Sequence, residues 1–251
     1  MRRLLAGLIG IFTYAAVAAA ADESACAIAS HLVEVDATLP RVTAALTKSH
    51  ALSIAVIGTS SSMLPGPQGA QLAYPARLEA ALSARLQGVT VKVTTDVAPR
   101  RTAADMAEGF PKLLETQHPT LVVWQTGTFD AIRGIETEAF STALENGIKT
   151  LHEGGADVVF VNQQYSPRTE NMIATTAYTD TIRWVALQYE VPLFDRTAIM
   201  RHWNELGTFD LQGATKKLDT AARVHDCIGQ LLAKLITKAA KANGIASGDH
   251  R

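Results

Sequence analysis

Residues 52–62 read LSIAVIGTSSS, and the reading of this stretch decides the fold. An apolar run ends in Gly58-Thr59-Ser60-Ser61-Ser62. Ile54, Val56 and Ile57 are β-branched, as suits a strand buried on both faces. Gly58 lets the backbone turn tightly where the strand stops. In open α/β sheets the carboxyl ends of the strands are where ligands bind. Ser60 is thus displayed as a candidate nucleophile above the first core strand. A polar turn that merely caps the strand is the plainer alternative.

Outward from this stretch, strand patterns alternate with helix patterns. Strands are expected at 52–57, 89–95, 121–125, 158–162 and 191–194. Helices are expected at 74–86, 102–116 with a kink at Pro111, 136–153, 172–189 and 220–242. The 74–86 helix places Leu78, Leu82 and Leu86 on one face. The alternation implies an α/β fold, a flavodoxin-like three-layer sandwich around a five-stranded parallel sheet with right-handed crossovers. No linker divides the chain, so one domain is expected over 51–243, with an N-terminal segment at 22–50 and a tail at 244–251. Chemistry should gather on the loops 58–69, 96–101, 126–134, 163–168 and 195–203.

The chain has 251 residues, a net charge of −1 and 47% apolar residues, enough for one core. Neither a basic excess nor an acidic tail points to nucleic acid or a charged partner. The first residues resemble a leader: Arg2 and Arg3, an apolar run from Leu4 to Val17, then Ala18–Ala21 as small residues for cleavage. A cleaved signal peptide over 1–21 implies a periplasmic or secreted protein; an uncleaved anchor is the alternative. The apolar run is too short for a good membrane span. Two cysteines remain, Cys26 and Cys227. In an exported chain a pair suits one disulfide, which would tie the N-terminal segment to the last helix; two buried free thiols are the alternative. Neither lies in metal-ligand spacing, and no metal or cofactor is implied.

Six strings carry a family resemblance: IAVIGTSSS, YPARLEAAL (74–82), VVWQTGT (122–128), GADVVFVNQQYSPR (155–168), VPLFDRTAIMRHW (191–203) and DCIGQLLAKLI (226–236). In this order the chain resembles the SGNH/GDSL hydrolase superfamily, more narrowly its exported members whose first block reads GSSS. The resemblance implies serine ester hydrolysis. A block I serine attacks an acyl carbonyl, a histidine before the last helix acts as base, and an aspartate three residues earlier orients it. The serine N–H, a block II glycine N–H and a block III asparagine hold the oxyanion.

Ser60 falls on the nucleophile, with Gly58 and Thr59 beside it. Thr59 stands where the family most often has Asp or Ser. Block II has no glycine in 96–101, leaving Arg100 or Arg101 as a charged donor in its place, or as a solvated loop pair. Block III reads Gly127-Thr128-Phe129-Asp130, so Phe129 occupies the asparagine position and has no donor. Block V aligns in two ways. One puts Asp219 at the histidine position and Lys216 at the aspartate position, with His225 inside the helix. The other keeps His225 as the base, with Asp219 six residues before it. His202 after the fifth strand is a further candidate base. Gln125, Gln163, Gln164 and Tyr165 are polar groups for the cleft, with Gln164 taken as substrate-binding.

Two functions follow. One is a serine ester hydrolase or acyltransferase acting on an envelope glycan or lipid through Ser60. The other is a catalytically degenerate protein of the same fold that binds a glycan, an acylated ligand or a partner. A nucleotide-binding protein is disfavoured, because neither GxxxxGK[ST] nor GxGxxG follows the first strand. Oligomeric state is open.

Overall fold

The computed structural model describes residues 26–212 and 217–241. The leader, Lys216 and the tail expected above lie outside the described residues. Strands β1 (Ala51–Gly58), β2 (Thr90–Val97), β3 (Leu121–Gln125), β4 (Asp157–Val161) and β5 (Leu193–Phe194) form one sheet in the order β2-β1-β3-β4-β5. Every pairing is parallel: Ile54 stands opposite Val93 and Leu121, Trp124 opposite Phe160, and Val161 opposite Phe194. This is the expected five-stranded α/β sandwich.

Eleven α-helices flank the sheet among the described residues. They are α1 (Pro40–Ala44), α2 (Gly69–Leu72), α3 (Tyr74–Arg85), α4 (Ala103–Ala107), α5 (Phe110–Gln117), α6 (Thr128–Arg133), α7 (Thr137–Glu153), α8 (Pro167–Met172), α9 (Thr176–Gln188), α10 (Arg196–Glu205) and α11 (Leu218–Ala239). The period of two along a strand sorts the core into two layers. Leu52, Ile54 and Val56 pack with Leu78 and Leu82 of α3, Trp203 of α10, and Ile228, Leu232 and Ile236 of α11. Ala55 and Ile57 pack on the other side with Trp124, Phe110, Phe140 and Ile148.

Several boundaries differ from the sequence expectation. The helix expected at 102–116 is two helices, α4 and α5. Thr102 and Asp105 form a capping box on the first, and Pro111 sits in the first turn of the second, where its missing N–H costs nothing. The helix expected at 172–189 begins afresh at Thr176, after the short α8 capped by Ser166. Residues 195–203, expected as a loop, form α10, with the Asp195 carboxylate accepting the Ala198 N–H. Residues 128–133 are likewise helical, as α6. The last helix starts at Leu218 behind Lys217, ahead of the expected Thr220 start.

The pair Cys26–Cys227 is a disulfide, closing across 201 residues. It fastens the N-terminal segment to the middle of α11. Two residues on, Gly229 lets α11 press against α3. A Cβ there would lie 2.6 Å from Arg77 Cβ and 2.9 Å from the backbone N of Leu78. No helix among the described residues is long and apolar enough to cross a membrane.

Candidate active site

The carboxyl end of β1 turns through one 3-10 turn, Ser60–Ser62. Gly58 is required by close approach: a Cβ would lie 2.7 Å from Ser62 Oγ and 3.0 Å from Gln125 Oε1. Gln125, at the end of β3 and fully buried, organises the turn from below. Its Oε1 lies within reach of the Thr59 N–H at 2.9 Å, the Thr59 hydroxyl at 2.9 Å, and the Ser61 and Ser62 hydroxyls at 3.2 Å each. A carbonyl oxygen has two lone pairs, so these four donors share it. Ser62 Oγ also bonds the Tyr74 hydroxyl at 2.9 Å.

Arg196 reaches the same turn from the far edge of the sheet. Asn162 brackets it: the Asn162 amide donates to Asp195 Oδ1 at 2.7 Å and accepts the Thr197 N–H at 3.0 Å. Between these two pinned residues the Arg196 side chain runs inward, 0% exposed. Its Nη1 donates to the Ser61 carbonyl at 3.1 Å and its Nη2 to Ser61 Oγ at 3.0 Å. Burial lowers its pKa to about 10, partly offset by Tyr74, so it remains a cation at neutral pH. Ser61 is therefore polarised from behind and held inward, while Ser60 is exposed.

His225 stands in the second turn of α11, 5% exposed. Its Nδ1 accepts the Tyr74 backbone N–H at 3.0 Å. Tyr74 is the first residue of α3, which has no side-chain cap at Ala73, so His225 satisfies one of that helix's orphan donors. A backbone N–H can only donate. Nδ1 must therefore keep its lone pair, and the neutral ring carries its proton on Nε2. Burial, followed by the Arg196 charge, lowers the His225 pKa to about 3.

Ser60, Ser61 and His225 line one cavity of about 340 Å³, with Gln164 and Tyr165 from the β4 loop. Its remaining wall is largely aliphatic, including Met63, Leu64, Met200, Leu211, Val224 and Ile228. The structure thus brings Ser60, His225 and Gln164 to one cavity. It does not bring Asp219 there. Asp219 is exposed on the first turn of α11, and the nitrogen it would orient is taken by Tyr74. Arg100 is also exposed, in a left-handed conformation (φ 62°), and it is Arg101 that donates to the Gly58 carbonyl, at 3.0 Å, while pairing with Asp96. Gly127 caps α6 with φ 89°, and a Cβ there would collide with Gln163 Nε2 at 2.3 Å. Phe129 and His202 are half-buried in α6 and α10 and do not line the cavity. Among the described residues no group of His, Cys, Asp or Glu is placed to hold a metal ion.

Arg196 and Ser61 carry the site's electrostatics, and sequence reasoning passed over both. The signal in the sequence is the Asp195-Arg196 pair directly after β5, at a carboxyl strand end.

Residues 25–242 match the non-GDSL lipase-like family. No curated protein matches the sequence. Among solved structures, TesA is 22% identical, with a TM-score of 0.56 over 72% of this chain and 98% of that one. LAE5, an alpha/beta hydrolase enzyme from the metagenome of Lake Arreo, Spain, is 19% identical, with a TM-score of 0.55 over 76% of this chain and 96% of its own. A catalytic mutant of Axe2, an acetylxylan esterase from Geobacillus stearothermophilus, is 16% identical, with a TM-score of 0.54 over 74% and 93%. These likenesses establish a shared SGNH-hydrolase fold.

Proposed function

The chain belongs to the non-GDSL lipase-like family, and from that premise we propose that it holds an acyl ester of an envelope glycan or lipid in the cavity beside Ser60 without ordinary serine–histidine turnover. The single observation that carries this reading is the bond from the Tyr74 N–H to His225 Nδ1. A general base needs a free lone pair facing the nucleophile. Here the nitrogen left for the cavity bears the proton. Freeing its lone pair would move that proton to Nδ1, against the Tyr74 N–H. His225 is therefore a donor in the cavity wall. The block III position adds to this, because Phe129 supplies no oxyanion donor.

The second reading is a serine esterase using Ser60. It is favoured by the exposed Ser60 hydroxyl and His225 lining one cavity. Hydrolysis of p-nitrophenyl acetate separates the two. On the first reading, the wild type and Ser60→Ala hydrolyse it at rates within about twofold of each other. A loss of about 10²-fold or more on Ser60→Ala would overturn that reading, since removing a nucleophile that works with a base costs at least this much. Titration with octanoyl glycerol tests the binding half. Heat is expected from the wild type and should vanish in Ala221→Trp, which fills the cavity.

The division of the chain proposed with this function is a leader over 1–21, a segment over 22–50 and the hydrolase-like domain over 51–243. A periplasmic or secreted location is supported by the Cys26–Cys227 disulfide, which suits an oxidising compartment.

A further inference from the structure

Strand β2 stands at one end of the sheet, with β1 on one side and no strand of this chain on the other among the described residues. It is a long edge of eight residues, TVKVTTDV, with no proline and no bulge against β1. All eight are half-buried or exposed. The N–H groups of Thr90 and Ala98 turn inward, to the carbonyls of His50 and Gly58 on the β1 side. The strand period then sends the backbone groups of Val91, Val93, Thr95 and Val97 outward. The Val93 N–H accordingly donates away from the sheet, to Glu79 Oε2 of α3 at 2.6 Å.

Open edges of this kind pair with other chains unless they are blunted, often by a lysine. Lys92 is such a lysine, and it enters no ion pair among the described residues. The other charge of the strand is Asp96, two residues beyond Thr94 as Lys92 is two before it. Twofold symmetry gives that spacing a use. Two copies meeting edge to edge about a twofold axis run antiparallel, with outward residues opposite outward residues. An axis at Lys92 or at Asp96 would set like charges opposite each other. An axis at Val93 or Thr95 would set each charge opposite a neutral residue. An axis at Thr94 sets Lys92 of each copy opposite Asp96 of the other, Val91 opposite Val97, and Val93 opposite Thr95.

We propose that β2 docks a second copy of this chain, antiparallel and centred on Thr94, so that two five-stranded sheets become one. Lys92 and Asp96 then occupy non-hydrogen-bonded positions, where facing Cα atoms are about 4.5 Å apart and side chains meet most closely. Asp96 already pairs with Arg101, but its side chain is 53% exposed and can take a second cation. Glu79 opposes the pairing. Its carboxylate holds the Val93 N–H that a Thr95 carbonyl would otherwise accept from, so it must be displaced. One strand a side is also a small interface, and the dimer is expected to be reversible, in the micromolar range.

Sedimentation velocity of the purified protein across the micromolar range is the test. The wild type is expected to pass from monomer to dimer as concentration rises. Lys92→Asp and Asp96→Lys should each self-associate about tenfold more weakly, since each sets like charges opposite each other. Mixed together, the two variants should form a heterodimer, because every facing pair is then one Asp and one Lys. Glu79→Ala should tighten the dimer severalfold by releasing the Val93 N–H. A wild type that stays monomeric throughout, or a dimer that both charge reversals leave unchanged, would overturn the proposal. Variants that stay apart on mixing overturn the register at Thr94, and a dimer no tighter in Glu79→Ala overturns the role given to Glu79. If Asp96→Lys does not fold, Thr95→Pro decides: it removes an outward N–H, and a dimer of undiminished strength there overturns the edge as the contact.

Discussion

A backbone amide from α3 decides what His225 can do. The residue serves two elements, closing the amino end of one helix and standing in the cavity wall of another. Its depressed pKa has a definite consequence for stability. The folded protein keeps His225 neutral down to about pH 3, whereas the unfolded chain takes up the proton near 6.5. The stabilising contribution is therefore complete above pH 6.5 and is lost as the pH falls toward 3, on the order of 5 kcal/mol over the whole window. Urea denaturation between pH 4 and 7 should show this slope in the wild type. His225→Gln offers both an acceptor and a donor, so at pH 7 it should stay within ~1 kcal/mol of wild type while flattening the acid slope. His225→Ala should cost about 1–3 kcal/mol, because the buried Tyr74 N–H is left unsatisfied. Equal slopes in all three proteins would sink this account. Ser60 was legible in the sequence because a strand end followed by glycine has one geometric meaning. The partner of His225 was not, since it is a main-chain group 151 positions away that leaves no side-chain signature.

Two glycines set how closely elements approach. Gly147 of α7 leaves room for the Trp124 ring, 2.5 Å from where its Cβ would be, and Gly229 lets α11 lie against the α3 backbone. The second bears on the site. Gly229 and His225 are four residues apart, one turn on the same face of α11. Gly229→Ala must push α11 off Arg77 and Leu78, and overpacking of this kind costs about 1–3 kcal/mol. The same shift should lengthen the His225–Tyr74 bond. The expected result is a lower denaturation midpoint together with a weaker pH dependence between 4 and 7. An unchanged midpoint would show that the two helices separate freely. The helices of the sheet layers were readable from their periodicity. Helix α10 was also encoded, by Asp195 as cap and Ile199, Met200 and Trp203 as an apolar face, but its nearness to a strand end made a loop the natural reading. The break between α4 and α5 was harder to see, because Pro111 fits a first turn as well as a kink.

The disulfide joins two positions 201 residues apart, among the longest-range constraints of the described residues. Closing a loop of 201 residues removes about 5 kcal/mol of unfolded-state entropy in the chain-entropy account, as an upper value. Reduction, or Cys26→Ala with Cys227→Ala, should lower the thermal midpoint by several degrees, and an unchanged midpoint would mean that the N-terminal segment docks without it. The pairing was legible because only two cysteines exist; its position two residues from His225 needed the fold. The split core also distributes the three tryptophans usefully. Trp124 is sealed into one layer beside Met106, Trp203 into the other beside Phe209, and Trp184 is 70% exposed on α9. In a Trp184→Phe protein each layer would hold one buried fluorophore. Emission that shifts to longer wavelength in a single step on unfolding would report that both faces of the sheet are lost together, and two steps would report that one face melts while the other still stands.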